Sequence, residues 1–334
     1  MKLITSTFTA AFGLMSLPLV AVEKNQPNII FFLADDMGIG DAGCYGQKII
    51  KTPNIDALAS SGVQFMQHYS GSTVSAPSRC ALMTGKHTGQ AAIRGNGSSD
   101  VRNEDADLSL PPEEITVAEI LKEKGYATAC VGKWGLGGPQ SNGSPVNQGF
   151  DYFFGYLSQG AAHRYYPEFL YENESKYPLN GQYSHTVIMQ KGLEFIEKNV
   201  TKPFFAYFAV TPPHADLDIP DLGIYNNKFP ETPHINNSTK GYKTQLQPKA
   251  AYAAMVSELD RNVGQIIELL KKKGIYENTI IIFSSDNGVH KVGGNDPDFF
   301  DSNGPFRGYK RDLYEGGIRA PFIVSWKNKI RTPF

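Results

Sequence analysis

Asn28–Ala34 reads Asn-Ile-Ile-Phe-Phe-Leu-Ala, an uninterrupted apolar run that stops abruptly at Asp35-Asp36. A strand wetted on one face alternates polar and apolar residues. A run this continuous must be covered on both faces, which places it inside a mostly parallel sheet flanked by helices. The pattern recurs. Residues 126–131 lead into Gly132-Lys133-Trp134, residues 203–210 into Thr211-Pro212-Pro213-His214, and residues 279–284 into Ser285-Asp286-Asn287-Gly288. Residues 321–326 are a last strand candidate.

Helical signals fall between these runs. Thr52-Pro53 starts a short helix closed by Gly62, and Thr116-Val117-Ala118-Glu119 is a capping box for a helix that stops at Gly125. Residues 184–199 and 248–273 carry apolar residues at helical spacing, among them Met255, Leu259, Val263 and Ile266. Strands alternating with helices predict one α/β domain, a large mostly parallel sheet with helices on both faces. Residues 218–247 are polar and proline-dotted, an excursion rather than a domain boundary.

The 334 residues carry a formal net charge of −1, so no basic excess points to nucleic acid. Lys2, an apolar stretch over 8–20 and a small residue at Ala21 before Glu23-Lys24 read as a secretory signal peptide over 1–21. That stretch is short for a membrane span, so the reading is an exported protein with no span once the signal is removed. Cys44, Cys80 and Cys130 match neither a zinc site nor a redox pair; they read as small buried residues, with one disulfide open.

The charged groups share a place in the topology. Asp35, Asp36, Lys133, His214, Asp286 and Asn287 all follow the C-terminal end of an expected buried strand, the edge where open α/β sheets bind ligands. Asp35, Asp36, Asp286 and Asn287 supply only oxygen ligands; three carboxylates and an amide suit a hard cation, and the lack of a histidine or cysteine partner argues against zinc. Ser75 lies in a small-residue turn ahead of Pro77, which is predicted to start a helix that Gly85 ends in a left-handed cap. Its hydroxyl is either a helix cap or a nucleophile facing an anion site, with Arg79 one turn further on.

Ser75-Ala76-Pro77-Ser78-Arg79, followed by Leu82, Thr84 and Gly85, resembles the signature of the sulfatases. Ala34-Asp35-Asp36-Met37-Gly38, Thr52-Pro53-Asn54-Ile55-Asp56, Gly132-Lys133-Trp134, Pro213-His214, Ser285-Asp286-Asn287-Gly288, and Lys310 with Tyr314-Glu315-Gly316-Gly317 are similar to further blocks of that family, in its order, from about residue 27 onward. The resemblance implies an alkaline-phosphatase-like fold over 27–334, a sulfatase N-terminal catalytic domain whose smaller C-terminal subdomain this chain lacks. It implies hydrolysis of sulfate monoesters, of sulfated carbohydrates or aryl sulfates, by a hydrated formylglycine (3-oxoalanine) made from Ser75. Calcium would be held by Asp35, Asp36, Asp286, Asn287 and residue 75. Arg79 would hold the formylglycine, Lys133 and Lys310 the sulfate, and His214 would lie near the bridging oxygen.

Serine at position 75 implies a serine-type formylglycine maturation enzyme, hence a bacterial, secreted or periplasmic protein. Most of the family has histidine where this chain has Gly135; His163 is the first choice to fill that gap. Arg94, Asn96, Tyr165, Asp296 and Asp298 are candidate substrate contacts in polar or aromatic loops. Two alternatives stay open on sequence: a metal-dependent phosphoesterase with unmodified Ser75, and a non-catalytic relative that binds sulfated glycans.

Overall fold

The computed structural model describes residues 26–97, 108–238 and 241–330; the expected signal peptide lies outside them. Among the described residues nine strands form one sheet: β1 (Asn28–Ala34), β2 (Val63–Phe65), β3 (Ala127–Lys133), β4 (Tyr152–Tyr156), β5 (Phe169–Glu172), β6 (Ser175–Pro178), β7 (Phe204–Ala209), β8 (Thr279–Ser285) and β9 (Phe322–Trp326). Their order across the sheet is β2-β9-β8-β1-β7-β3-β4-β5-β6. The five central strands, β8 to β4, run parallel. The strands at both margins are antiparallel. So β9 is a strand as expected, but it runs antiparallel to β8 and lies between β8 and the edge strand β2.

Helices cover both faces. On one side lie α1 (Pro53–Ser60), α4 (Ser184–Lys198) and α5 (Pro248–Lys272), whose Ile55, Leu58, Ile188, Ile196, Leu259 and Val263 share a core with Ile30, Phe32, Phe208 and Phe283. On the other lie α2 (Ser75–Thr84) and α3 (Val117–Glu123), where Ala76, Cys80, Met83 and Ala118 pack with Leu33, Phe205 and Tyr207. Each large apolar side chain removed from water here contributes about 1.5–3 kcal/mol before the entropy of ordering it. The α3 capping box is present: Thr116 Oγ1 accepts from Glu119 N at 3.2 Å and Glu119 Oε2 accepts from Thr116 N at 2.8 Å. Thr52 does not cap α1. Asp260 of α5 does so instead, accepting from Asn54 N and Ile55 N, both at 2.8 Å. All three cysteines are free thiols, so no disulfide forms.

Asp41 is a buried acid in this frame. It accepts from Gly38 N at 2.8 Å, Tyr252 Oη at 2.5 Å and Ser302 Oγ at 2.6 Å. Burial nonetheless pushes its pKa from 3.8 up to about 6. A folded-state pKa above the unfolded one means the site favours folding below the unfolded value and loses that contribution as pH rises through 6. Asp41→Asn stays neutral at every pH, and its amide can still accept from Gly38 while donating to a hydroxyl. Urea unfolding is expected to show the variant gaining roughly 2.4 kcal/mol on the wild type between pH 4 and pH 7. An unchanged difference would place the proton elsewhere.

Candidate active site

The parallel ladder continues one residue past the strands and so fixes the first acids. Asp286 N donates to Ala34 O at 3.1 Å and Asp35 N to Pro212 O at 3.2 Å. Asp36 turns in the left-handed region at φ 65°, which aspartate tolerates, and its N–H donates to Asp286 Oδ1 at 3.1 Å. Asp35, Asp36, Asp286 and Asn287 are all buried. Lys133 is the last residue of β3 and is delivered to the same edge by Gly132. A Cβ on Gly132, at φ 114°, would meet Ala209 O at 2.0 Å, so only glycine lets β3 approach β7 this closely.

Ser75 is the first residue of α2. Its cap position is Val74, so the helix-cap reading does not hold. Gly85 does end the helix, at φ 70° with its N–H on Ala81 O. The Ser75 hydroxyl points into the acids instead, 2.6 Å from Asp286 Oδ2 and 3.1 Å from Asp35 Oδ1, and it accepts from Lys133 Nζ at 3.2 Å. Arg79, one turn on, donates from Nε and Nη2 to Asp286 Oδ2 at 3.2 and 2.9 Å and from Nη1 to Lys133 O at 2.9 Å. Lys133 Nζ lies 2.7 Å from Asp35 Oδ2, and Lys310 Nζ lies 2.7 Å from Asp36 Oδ2. Three buried carboxylates thus face three buried cations.

The cations differ in their proton affinity. Burial pushes the Lys133 pKa down, against the pull of Asp35. Burial works against Lys310 too, but Asp36, Asp35 and Asp286 outweigh it and raise its pKa. Arg79 is raised in the same way by Asp286 and Asp35. His214 goes the other way. Burial, then Lys310, His163 and Lys133, hold it well below the ordinary value, so it is neutral. Its Nδ1 meets the Ala215 carbonyl, which only accepts, so Nδ1 carries the proton. Nε2 then presents a lone pair 3.4 Å from Asp36 Oδ2.

The residue types here fit a divalent cation. Asn287 Nδ2 donates to Asp36 Oδ1 at 2.6 Å, while Asn287 Oδ1 is buried with no hydrogen-bond partner. The Ser75 hydroxyl has one proton for two carboxylate oxygens, and the His214 lone pair faces a third acid. Each arrangement gains from a positive charge among these oxygens. Ligand atoms of Asp35, Asp36 and His214 lie within 4.8 Å of one another, which adds a histidine to the oxygen donors expected from sequence.

Other expected residues fall in varied places. His163 stacks on His214, ring centroids 4.4 Å apart, and burial with Lys133 and Lys310 lowers its pKa to about 3. It does not fill the space beside Gly135. A Cβ there would lie 2.0 Å from Gln159 Nε2, which donates to Gly135 O at 3.2 Å, so Gln159 occupies that volume. Asn96 is well placed: its Oδ1 accepts at 3.0 Å from Ala76 N, next to Ser75. Arg94 is exposed, its Nε on Ala91 O at 3.2 Å.

Tyr165, expected in a substrate loop, lies in the core instead. It is fully buried, and its hydroxyl donates to His214 O at 2.8 Å, so it supports the histidine loop and meets no substrate. Asp296 caps a short helical turn, Pro297–Phe300, and faces Lys249 at 3.4 Å. Asp298 is held by Tyr309 and Lys291. Both acids serve their own loop. His290 was not anticipated from sequence. It is buried beside His214 with Nε2 3.0 Å from Pro213 O, and only the partner carbonyl, distant in sequence, reveals its role.

A family model described as sulfatase matches residues 27–333. N-acetylgalactosamine-6-sulfatase of Canis lupus familiaris is 33% identical over 339 residues, covering 93% of this chain and 59% of that protein. Arylsulfatase J of Mus musculus is 36% identical over 315 residues, covering 90% of this chain and 48% of that protein. The chain therefore spans about three fifths or less of the length of these relatives. The solved structure of Ps i-CgsB in complex with k-i-k-neocarrahexaose superposes with a TM-score of 0.76 at 30% identity, covering 92% of this chain and 67% of that one. The sheet is that of the alkaline-phosphatase-like fold. With the family's motifs meeting at one strand edge and the family model covering the chain from β1 through β9, this chain belongs to the sulfatase family.

Proposed function

We propose that the protein hydrolyses sulfate monoesters of carbohydrates, with residue 75 as the nucleophile. The observation that carries this is the Ser75 hydroxyl, buried 2.6 Å from Asp286 and 3.2 Å from Lys133 beside an unpartnered Asn287 Oδ1. Asp35, Asp36, Asp286 and Asn287 are the residues that would hold calcium, with residue 75 as formylglycine. Together those two groups supply a polarised sulfate oxygen and a hydrated aldehyde in place of a weak alcohol nucleophile.

The remaining work falls to side chains. Arg79 fixes Asp286, and through Lys133 O it fixes the end of β3. Lys133 faces the nucleophile and Asp35 while Lys310 pairs with Asp36, so an ester bound among these acids has two ammonium groups near it as charge develops. Lys310 keeps its proton and is the donor placed for the departing alkoxide; neutral His214, lone pair inward, is placed to receive a proton. Asn96 and Arg94 flank the nucleophile helix as substrate contacts. Among the described residues no helix is long and apolar enough to cross a membrane. We read residues 1–21 as an export signal, with a bacterial serine-type maturation enzyme as partner.

The test is sulfate release from galactose 6-sulfate by protein coexpressed with such a maturation enzyme. Release is expected with calcium and is expected to fall to background in chelator. Intact mass should show loss of two hydrogens at residue 75. An unmodified serine together with phosphate-ester turnover would instead favour a phosphoesterase.

A further inference from the structure

Arg311 follows the active-site lysine and is unlike the other cations nearby. Arg79, Lys133 and Lys310 are each held by a carboxylate, and Arg164 is held by Asp216 at 2.6 Å. Arg311 is exposed, and among the described residues no carboxylate pairs with it within 4.0 Å. Its backbone sits at φ 81°, a region that an L side chain occupies only when its surroundings enforce it. Here the enforcement is visible. Arg311 N donates to Thr73 O at 3.0 Å, two residues before Ser75, while Lys310 N donates to Val289 O at 2.9 Å just beyond Asp286-Asn287. The residue is therefore pinned between the turn that carries the nucleophile and the loop that carries the acids.

The side chain has a defined neighbourhood. Its guanidinium lies beside the Tyr242 phenol, and its charge is among those that lower the His163 pKa, after burial and the two site lysines. The Tyr242 ring centroid is 5.9 Å from His163 and 6.4 Å from His214. Arg311 is thus next to a ring that neighbours both His163 and His214. A half-buried aromatic ring beside a guanidinium that no carboxylate neutralises suits a sugar ring that carries an anion.

We infer that Arg311 is a specificity-determining residue that binds a second anionic group on the substrate, a further sulfate or a carboxylate, beyond the ester being cleaved. The inference rests on the sulfate-ester reading for what occupies the centre of the site. It adds that the preferred sugar is at least doubly anionic.

Calorimetric titration of the calcium-loaded protein tests this with three probes: galactose 6-sulfate, galactose 4,6-disulfate, and a glucuronosyl disaccharide bearing one 6-sulfate. The wild type is expected to bind at least one doubly anionic probe about tenfold or more tighter than the monosulfate, the scale of one charge-assisted contact. Whichever does so separates sulfate from carboxylate. In Arg311→Ala and Arg311→Gly the preference is expected to fall to within about twofold, and Arg311→Lys to keep part of it. Gly is at ease at this φ, so a preference lost in Ala and kept in Gly would assign the effect to the backbone and overturn the inference. So would a wild type with no preference, or a preference that survives both variants. Retained preference without sulfate release from any probe would count against the hydrolase reading alone.

Discussion

Ser75→Ala is expected to release no sulfate above background, a loss of at least roughly 10⁴-fold, while its unfolding free energy stays within about 2 kcal/mol of the wild type. The two halves of this result have separate causes. Among the described residues the missing Oγ is the only nucleophilic side-chain atom that the acids and Lys133 converge on, so none of them remains to attack the ester. Its neighbours still have partners: Lys133 keeps Asp35 at 2.7 Å, and Asp286 keeps Arg79 at 2.9 Å. The variant should therefore fold, and circular dichroism with urea titration checks that it does. Turnover near the wild-type rate by the folded variant would remove residue 75 from the chemistry.

Asp286→Ala should fail in both respects. Arg79 is 1% exposed and directs two of its nitrogens at Asp286 Oδ2; without that oxygen, its nearest carboxylate is Asp35 at 3.4 Å. Removing one partner of a buried ion pair strands the other, at a cost of about 3–5 kcal/mol. Asp286 Oδ1 also fixes the Asp36 amide at 3.1 Å, so the turn bearing the second acid loosens as well. We expect urea unfolding to shift by that amount and sulfate release to vanish. We also expect calcium, which stabilises whatever state it binds, to raise the wild-type melting temperature and leave that of the variant where it was. A variant of wild-type stability that still responds to calcium would contradict the geometry.

The strand-end residues were legible because of how buried parallel strands are built. An apolar run such as Asn28–Ala34 can end only where the chain leaves the core, so a charge immediately after it lies at the sheet edge. That logic puts Asp35, Asp36, Lys133, His214 and Asp286 at one edge of the sheet from the sequence alone. It was blind to β2, β5 and β6, strands of three or four residues held by edge pairing rather than by an apolar signal of their own. It was blind also to β4, where aromatic residues surround Gly155. Tyr165 was misread because an aromatic loop is equally compatible with a sugar and with a core, and only its fully buried hydroxyl decides. Gln159 had one faint signal, the glycine at 135. Its meaning depends on a residue in the next strand connection, which no local pattern connects to it.

Strand β1 is synthesised first and sits at the middle of the sheet, yet its two neighbours are Phe204–Ala209 and Thr279–Ser285. Until Ala209 has been made this sticky segment has no lateral partner, and until Ser285 has followed it has only one and Asp36 has no Asp286. Such late, distant pairing makes folding slow and leaves the nascent chain exposed to aggregation. In practice the yield of this protein will depend on how it is escorted during synthesis, through lower temperature, slower expression or added chaperones, more than on the stability it finally attains.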